Sequence, residues 1–444
     1  MATYIAFFCG VGIVGSGLVL LVQERIRQTV FFIFYLIVLF GLLVFMWRVS
    51  DPPELFSDFS QAYYPAGQAI VQDVSRLYDR QPGCEESAIC GFVNIPLVAF
   101  LFAPLSLLSL GQAQVAFALL SWGCIAASLY YLIVLTAATG WRRWAIATLF
   151  VVNGPLLYSV REGNLTHVVL LLIVLTFVCV ERNAEVWAGV FVAGAVVIKL
   201  PLGLLGAYFV FKGRWRVVFG LVLTLLAFIG TSLLSAGWES HVTWYRESIL
   251  PFASKSLAAF NVQSVDGFLL RLRAGAPLYD WTPVPVDGSL RLARTVLVGL
   301  FLLMSGILLR GSAVGDSKNV HYLDLCMVLC LALILSPISW THYYLFLLVP
   351  FCLYLGGRLP VQQSRNWFLG MVTCMLLVSP PVTFVNPSWG GTTGKIFISH
   401  YVFGAVLLWT LLCLAKWHGR APSLCRVHKP RASEQAAVCP HCRS

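Results

Sequence analysis

The sequence predicts an all-α polytopic membrane protein with about 12–13 transmembrane helices, further re-entrant or juxtamembrane helices and two large outer loops, at roughly 20 apolar residues per crossing. Three observations carry that expectation. Of 444 residues, 59% are apolar and only 11% are charged, against roughly 45–50% and about 25% in soluble domains. The mean hydropathy is +0.82. The apolar residues form long unbroken runs, whereas a transmembrane barrel requires alternating strands of about 10 residues. These features exclude a water-soluble enzyme, and they exclude disorder over most of the length.

The apolar runs fall at 2–22, 29–47, 93–109, 112–136, 144–160, 165–181, 186–198, 200–211, 215–235, 291–309, 322–338, 343–356, 366–383 and 396–416. Several are short. Short or broken helices survive at membrane depth only beside protein or a water-filled cavity, so the pattern favours a cavity-bearing machine over an anchor. Residues 1–416 are expected to form one transmembrane domain, followed by a basic tail over 417–444. No repeat of 20–50 residues is visible, and no basic n-region marks a cleaved signal peptide. Gly10-Val11-Gly12-Ile13-Val14-Gly15 spells a dinucleotide fingerprint, but it lies inside an apolar run with no preceding strand. Small residues at that spacing serve helix packing.

The connections sort by charge. Arg25/Arg27, Arg142/Arg143, Lys212/Arg214/Arg216, Arg310, Arg358/Arg365 and the tail are short and basic. Basic loops are cytoplasmic, which also accounts for the net charge of +11 without nucleic acid. Residues 48–92 carry seven carboxylates against three Arg, and residues 236–290 carry five against four basic side chains; both loops are expected outside. An odd number of crossings must separate loop 48–92 from Arg142/Arg143. The run 93–109, broken by Pro96 and Pro104, is therefore expected to be re-entrant or interfacial. The alternation then brings Glu162, Lys199 and His342 to the outer face, with the C-terminus in the cytoplasm and the N-terminus outside. Most of the 13 cysteines sit in apolar runs as packing residues, as at Cys326 and Cys330. Cys84 and Cys90 share a polar loop and can pair in an oxidising compartment.

Five polar constellations interrupt this apolar background. Asp58 precedes Tyr63-Tyr64 in the first outer loop, with Leu77-Tyr78-Asp79 closing it; such a carboxylate can serve as general base toward a hydroxyl, or be a solvated loop residue. Arg161-Glu162-Gly163-Asn164 lies between two apolar runs. Lys199-Leu200-Pro201 places an amine inside another, where an ionisable group is a functional candidate by default; snorkelling is the alternative. Ser336-Pro337-Ile338-Ser339-Trp340-Thr341-His342-Tyr343-Tyr344 offers a wall for a sugar phosphate, or an interfacial aromatic belt. In the second outer loop, Asn261-Val262-Gln263-Ser264 with Gly267 and Arg271 is the fifth; Arg271 can make a bidentate phosphate contact, or be a surface charge.

Taken in order over roughly residues 45–360, these landmarks resemble the family 87 glycosyltransferases, polytopic enzymes of superfamily C (the GT-C fold) that include mycobacterial mannosyltransferases. The set also includes Ile95-Pro96-Leu97 and Ala103-Pro104-Leu105. The chain departs from the family pattern at Glu162, where Gln is frequent, at Asn94-Ile95-Pro96, where Tyr-Pro-Pro is frequent, and at Lys199-Leu200, where Lys-Pro is common. The resemblance implies a polyprenyl-phosphate sugar donor, commonly mannose, a lipid or glycan acceptor, and transfer on the extracytoplasmic face of the plasma membrane. On that reading Asp58 is the catalytic base of an inverting displacement. Tyr63, Tyr64, Glu162, Asn164, Asn261 and Trp340 shape the substrate site, and Lys199, His342 and Arg271 face the phosphate. No Asp-x-Asp or Glu-x-Asp surrounds Asp58, which leans against an obligatory divalent metal, and no cofactor is expected for catalysis. A transporter or flippase of a lipid-linked or small polar solute is the rival class, since broken helices and buried charges also suit transporters.

The tail holds Cys425, His428, Cys439 and Cys442, a spacing compatible with tetrahedral zinc. A disordered basic tail near anionic lipid is the other reading.

Overall fold

The computed structural model describes residues 55–79, 91–273, 278–310, 318–362, 364–379 and 391–426, with side chains described to residue 419. The apolar runs 2–22 and 29–47, the Cys84–Cys90 loop and the four Cys/His residues of the tail lie outside what it describes.

The chain is an all-α polytopic membrane protein. In order it forms α1 (Tyr64–Gln72), α2 (Pro96–Phe100), α3 (Leu110–Thr136), α4 (Gly140–Val152), α5 (Gly154–Glu162), α6 (Thr166–Glu181), α7 (Glu185–Ile198), α8 (Gly203–Phe211) and α9 (Trp215–Trp244). There follow α10 (Val265–Arg271), α11 (Gly288–Leu309), α12 (Lys318–Leu335), α13 (Leu348–Leu355), α14 (Arg365–Val378), α15 (Thr392–Ile398) and α16 (His400–Arg426). Among the described residues five helices are long and apolar enough to cross a membrane, and five apolar helices of 10–17 residues accompany them. Run 93–109 contains only the five-residue α2 and a single turn at Leu105–Leu107. Pro96 and Pro104 account for this, because each removes a donor and neither tolerates a preceding helical turn.

Burial sorts the helices. α12 is enclosed on nearly all sides, with fourteen consecutive buried residues from His321 to Ile334. α9 and α11 bury little of their apolar surface, as expected of helices whose outer faces contact lipid tails. α7 and α9 cross at backbone distance. A Cβ on Gly189 would lie 2.0 Å from the Val217 carbonyl, and one on Gly220 would lie 2.1 Å from the Val186 carbonyl. In lipid, where apolar burial does not drive helix association, small residues at such crossings supply the close packing.

The two ends of the bundle differ chemically. At one end, Asp324 on α12 is fully buried between Lys212 at 3.2 Å and Lys416 at 2.7 Å. Glu181 pairs with Arg358 and Glu185 with Arg214, each at 2.9 Å. These close the helix ends that the charge pattern assigns to the basic side. At the other end, described residues of the two loops expected outside line one space. A two-residue antiparallel ribbon pairs Lys255–Ser256 with Val284–Pro285. The loop is tied to the 336–344 hinge through an isolated bridge between Val262 and Trp340.

Candidate active site

The local backbone explains why Asp58 stands where it does. Asn153 caps α5 by accepting from the Leu156 amide, and α5 ends at Gly163 in the left-handed region, φ +69°. A Cβ on Gly163 would lie 2.7 Å from the Phe56 ring and 2.9 Å from Phe59 Cβ. The first loop therefore packs directly on this turn, and the Phe56 amide donates to the Arg161 carbonyl at 2.7 Å. Ser57 donates to the Glu162 carboxylate. Residues 59–63 then wind as a π turn, a local irregularity that often accompanies functional positions. Asp58 is left at the head of that turn, facing inward.

Lys199 reaches the same space by a helix break. α7 stops at Ile198, Lys199 adopts an extended conformation, and Pro201 lies in a short 3-10 turn before α8. The amine is buried and lies 4.4 Å from the Tyr343 ring centroid. His342 arrives on the hinge after α12. Its ring lies between Tyr158, at 6.0 Å and 27°, and Trp340, at 6.4 Å and 11°. Its buried Nδ1 has no hydrogen-bond partner in the structure.

These three residues line one cavity of about 1220 Å3. Ligand pockets usually span roughly 300–1,000 Å3, so the space suits a large ligand or two. Tyr63, Glu162, Asn261 and Trp340 line it as well. Burial pushes the Asp58 carboxyl up to about 6, against the opposing pull of the Lys199 charge and the Asn164 amide. A carboxylate with that value is half ionised near pH 6 and is a stronger base than an ordinary solvated Asp.

Three of the ten sequence candidates for the substrate site stand elsewhere. Tyr64 turns away and donates to the Leu108 carbonyl at 2.7 Å. Asn164 is buried behind Asp58; its Oδ1 accepts from Ser159 Oγ and the Thr166 amide, which orients its amide group toward Asp58. Arg271 is fully buried outside the cavity lining. Its guanidinium donates to the carbonyls of Ala259 at 2.9 Å and Val262 at 2.7 Å, and to Ser399 Oγ at 2.8 Å. In place of the expected phosphate contact Arg271 staples the second large loop to Ser399, with four of its five N–H donors spent on the protein.

That staple serves the site indirectly. It fixes the strand of chain that presents Asn261, whose Oδ1 accepts from Trp281 Nε1 at 2.9 Å and whose backbone carbonyl accepts from the Thr341 amide at 2.8 Å. Sequence reasoning missed Tyr158, Trp281 and Arg294, all of which line the cavity. Arg294 had a readable signal: it is a charge inside the apolar run 291–309, the kind of residue that marks function at membrane depth. Among the described residues no group of three or more His, Cys, Asp or Glu is placed to hold a metal.

The family model of glycosyltransferase family 87 matches residues 92–337. The chain belongs to glycosyltransferase family 87. It is therefore an enzyme of glycosyl transfer, and the transporter class falls away. The matched span contains Glu162, Lys199, Asn261 and Arg294, while Asp58 and His342 flank it. Two relatives are proteins of Mycolicibacterium smegmatis. The chain is 24% identical over 402 residues, 82% of its length and 84% of the relative's, to a polyprenol-phosphate-mannose-dependent alpha-(1-2)-phosphatidylinositol mannoside mannosyltransferase. It is 29% identical over 310 residues, covering 67% and 69%, to a polyprenol-phosphate-mannose-dependent alpha-(1-2)-phosphatidylinositol pentamannoside mannosyltransferase.

Proposed function

We propose that this enzyme transfers mannose from a polyprenol-phosphate donor to a lipid-linked glycan acceptor of the phosphatidylinositol mannoside type. Transfer takes place at the extracytoplasmic face of the plasma membrane, and the C-terminus is cytoplasmic. The observation that carries the reading is the meeting of Asp58, Lys199 and His342 in one cavity, within a chain of this family.

Asp58 accepts the proton of the acceptor hydroxyl as its oxygen attacks the anomeric carbon. The bond from that carbon to the phosphate oxygen breaks, and the electron pair leaves with the polyprenyl phosphate. The ammonium of Lys199 and His342, as the tautomer whose Nδ1–H donates, stabilise the charge that develops on the phosphate. Direct displacement inverts the anomeric centre, so a β-linked donor gives an α-mannoside. Tyr63 and Trp340 flank the sugar, and Glu162 holds Ser57 and with it the backbone beside Asp58. The donor is carried in the bilayer and reaches the cavity laterally, so no soluble nucleotide-binding domain is required.

Purified full-length protein incubated with radiolabelled polyprenol-phosphate-mannose and a phosphatidylinositol mannoside acceptor tests this. The expected product is the acceptor extended by one α-linked mannose. A β-linked product, or no labelled product beside an intact donor, contradicts the reading.

A further inference from the structure

Lys199 and His342 are one pole of the cavity; Arg294 is another. Lys199 lies within electrostatic reach of Asp58, and each charge favours the other. Arg294 instead faces Asp266, 3.4 Å away. It stands in the second turn of α11, a helix that leaves most of its apolar surface uncovered, and its side chain lines the cavity while remaining about a quarter exposed. The pairing with Asp266 is loose. Asp266 is 5% exposed, and its Oδ2 makes no hydrogen bond even though it is the oxygen nearest Arg294. An arginine at a carboxylate normally makes two short parallel hydrogen bonds. Here the guanidinium stays available to a better anion.

The chemistry of the reaction calls for such a second anion site. The donor phosphate is the leaving group and departs from the face of the anomeric carbon opposite the hydroxyl that Asp58 deprotonates; the proposed function assigns it to Lys199 and His342. A phosphatidylinositol-type acceptor carries a phosphodiester of its own, separated from the reacting hydroxyl by its glycan. Its acyl chains stay in the bilayer, so that phosphodiester sits at the membrane-facing edge of the cavity.

We propose that Arg294 binds the phosphodiester of the lipid acceptor, drawn from its loose partner Asp266, and so positions the acceptor glycan for attack. The inference rests on the mannosyl transfer described above. Arg294 is here a substrate-binding residue that selects a phosphate-bearing acceptor, distinct from the pole that receives the donor.

Steady-state transfer by the full-length enzyme, varying donor and acceptor separately, tests it. The two acceptors are a phosphatidylinositol mannoside and the same mannosyl-inositol glycan on an uncharged alkyl chain. Arg294→Ala is expected to raise KM for the phosphate-bearing acceptor at least about tenfold, as loss of a charge-assisted contact requires. Its KM for the donor and its kcat should stay within about twofold, the signature of lost ground-state binding. With the uncharged acceptor, wild type and variant should behave alike. Because Arg294→Ala leaves Asp266 buried without a counter-charge, the double variant Arg294→Ala/Asp266→Asn is measured beside it and should show the same acceptor-specific defect. Asp266→Asn alone frees Arg294 and should lower KM for the phosphate-bearing acceptor. An equal defect with both acceptors, or a rise in donor KM, overturns the proposal and leaves mannosyl transfer standing. A wild type that transfers equally well to both acceptors overturns it too. A wild type that does not consume polyprenol-phosphate-mannose defeats the proposed function, and this inference with it.

Discussion

Asp58 and Lys199 set each other's charge, and that coupling makes the pH dependence readable. A base must be unprotonated to act. With the Asp58 carboxyl at about 6, kcat/KM should rise with pH through about 6 and level off above it. Below the limb the rate should fall roughly tenfold per pH unit, because the unprotonated fraction does. The positive charge of Lys199 lowers the Asp58 value, so Lys199→Ala should carry the limb to higher pH. The same variant should also lose about 10²–10³ in kcat, the usual cost of removing a donor that stabilises developing negative charge. Lys199→Arg should keep the limb near its wild-type position. A limb unmoved in Lys199→Ala would separate the two residues and contradict the shared cavity.

At the scale of elements, the motif Glu162-Gly163-Asn164 is a mounting for the first loop. Gly163 supplies the left-handed turn and the bare backbone on which Phe56 and Phe59 rest. Gly163→Ala costs about 1–2 kcal/mol for the left-handed conformation alone, and its methyl group displaces Phe56. The expected outcome is a folded protein with a large drop in kcat, measured beside thermal unfolding in detergent. Arg271 should behave in the opposite way. Arg271→Ala leaves the Ala259 and Val262 carbonyls without their donor inside the protein. It should lower stability by about 1.5–3 kcal/mol for each charge-assisted bond lost, and stability should fall before affinity for substrate does. Here lies the boundary of what the sequence discloses. Hydropathy and proline positions determine where helices run and break, so the breaks at Lys199 and over 93–109 were legible. Direction was not. Tyr63 and Tyr64 are chemically alike, and only the π turn decides that Tyr63 faces the cavity while Tyr64 caps a carbonyl. Arg271 and Arg294 each stand near apolar sequence with a second arginine two or three residues away, and tertiary contacts alone assign one to a carbonyl staple and the other to the cavity.

The whole molecule separates its chemistry by end. The cavity gathers aromatic rings, the Asp58 carboxyl and cations at the end where the two large loops meet. The opposite end is closed by buried ion pairs centred on Asp324. Removing one member of such a cluster leaves charge uncompensated, and Asp324→Asn should destabilise the protein by about 3–5 kcal/mol. Replacing Lys212 and Lys416 with Met in that background should recover part of the loss, followed as thermal unfolding in detergent. Transfer by the surviving folded fraction should remain near wild type, since the cluster and the cavity occupy different ends. The sign pattern of the loops already distinguished these two ends. The three-way meeting of a loop acid, a helix-break amine and a hinge imidazole was an expectation from topology, and geometry alone brings them together.

Asp58 is the proposed proton acceptor, and single-turnover transfer by Asp58→Asn measures that role most directly. Asn is nearly isosteric and keeps the polar contacts of the site, so the donor should still bind. The rate of transfer from prebound polyprenol-phosphate-mannose should fall by at least about 10², the lower range of general-base catalysis, with the acid limb near pH 6 abolished. A variant that transfers mannose at close to the wild-type rate, or that retains the limb, would contradict the role of Asp58 and the mechanism built on it.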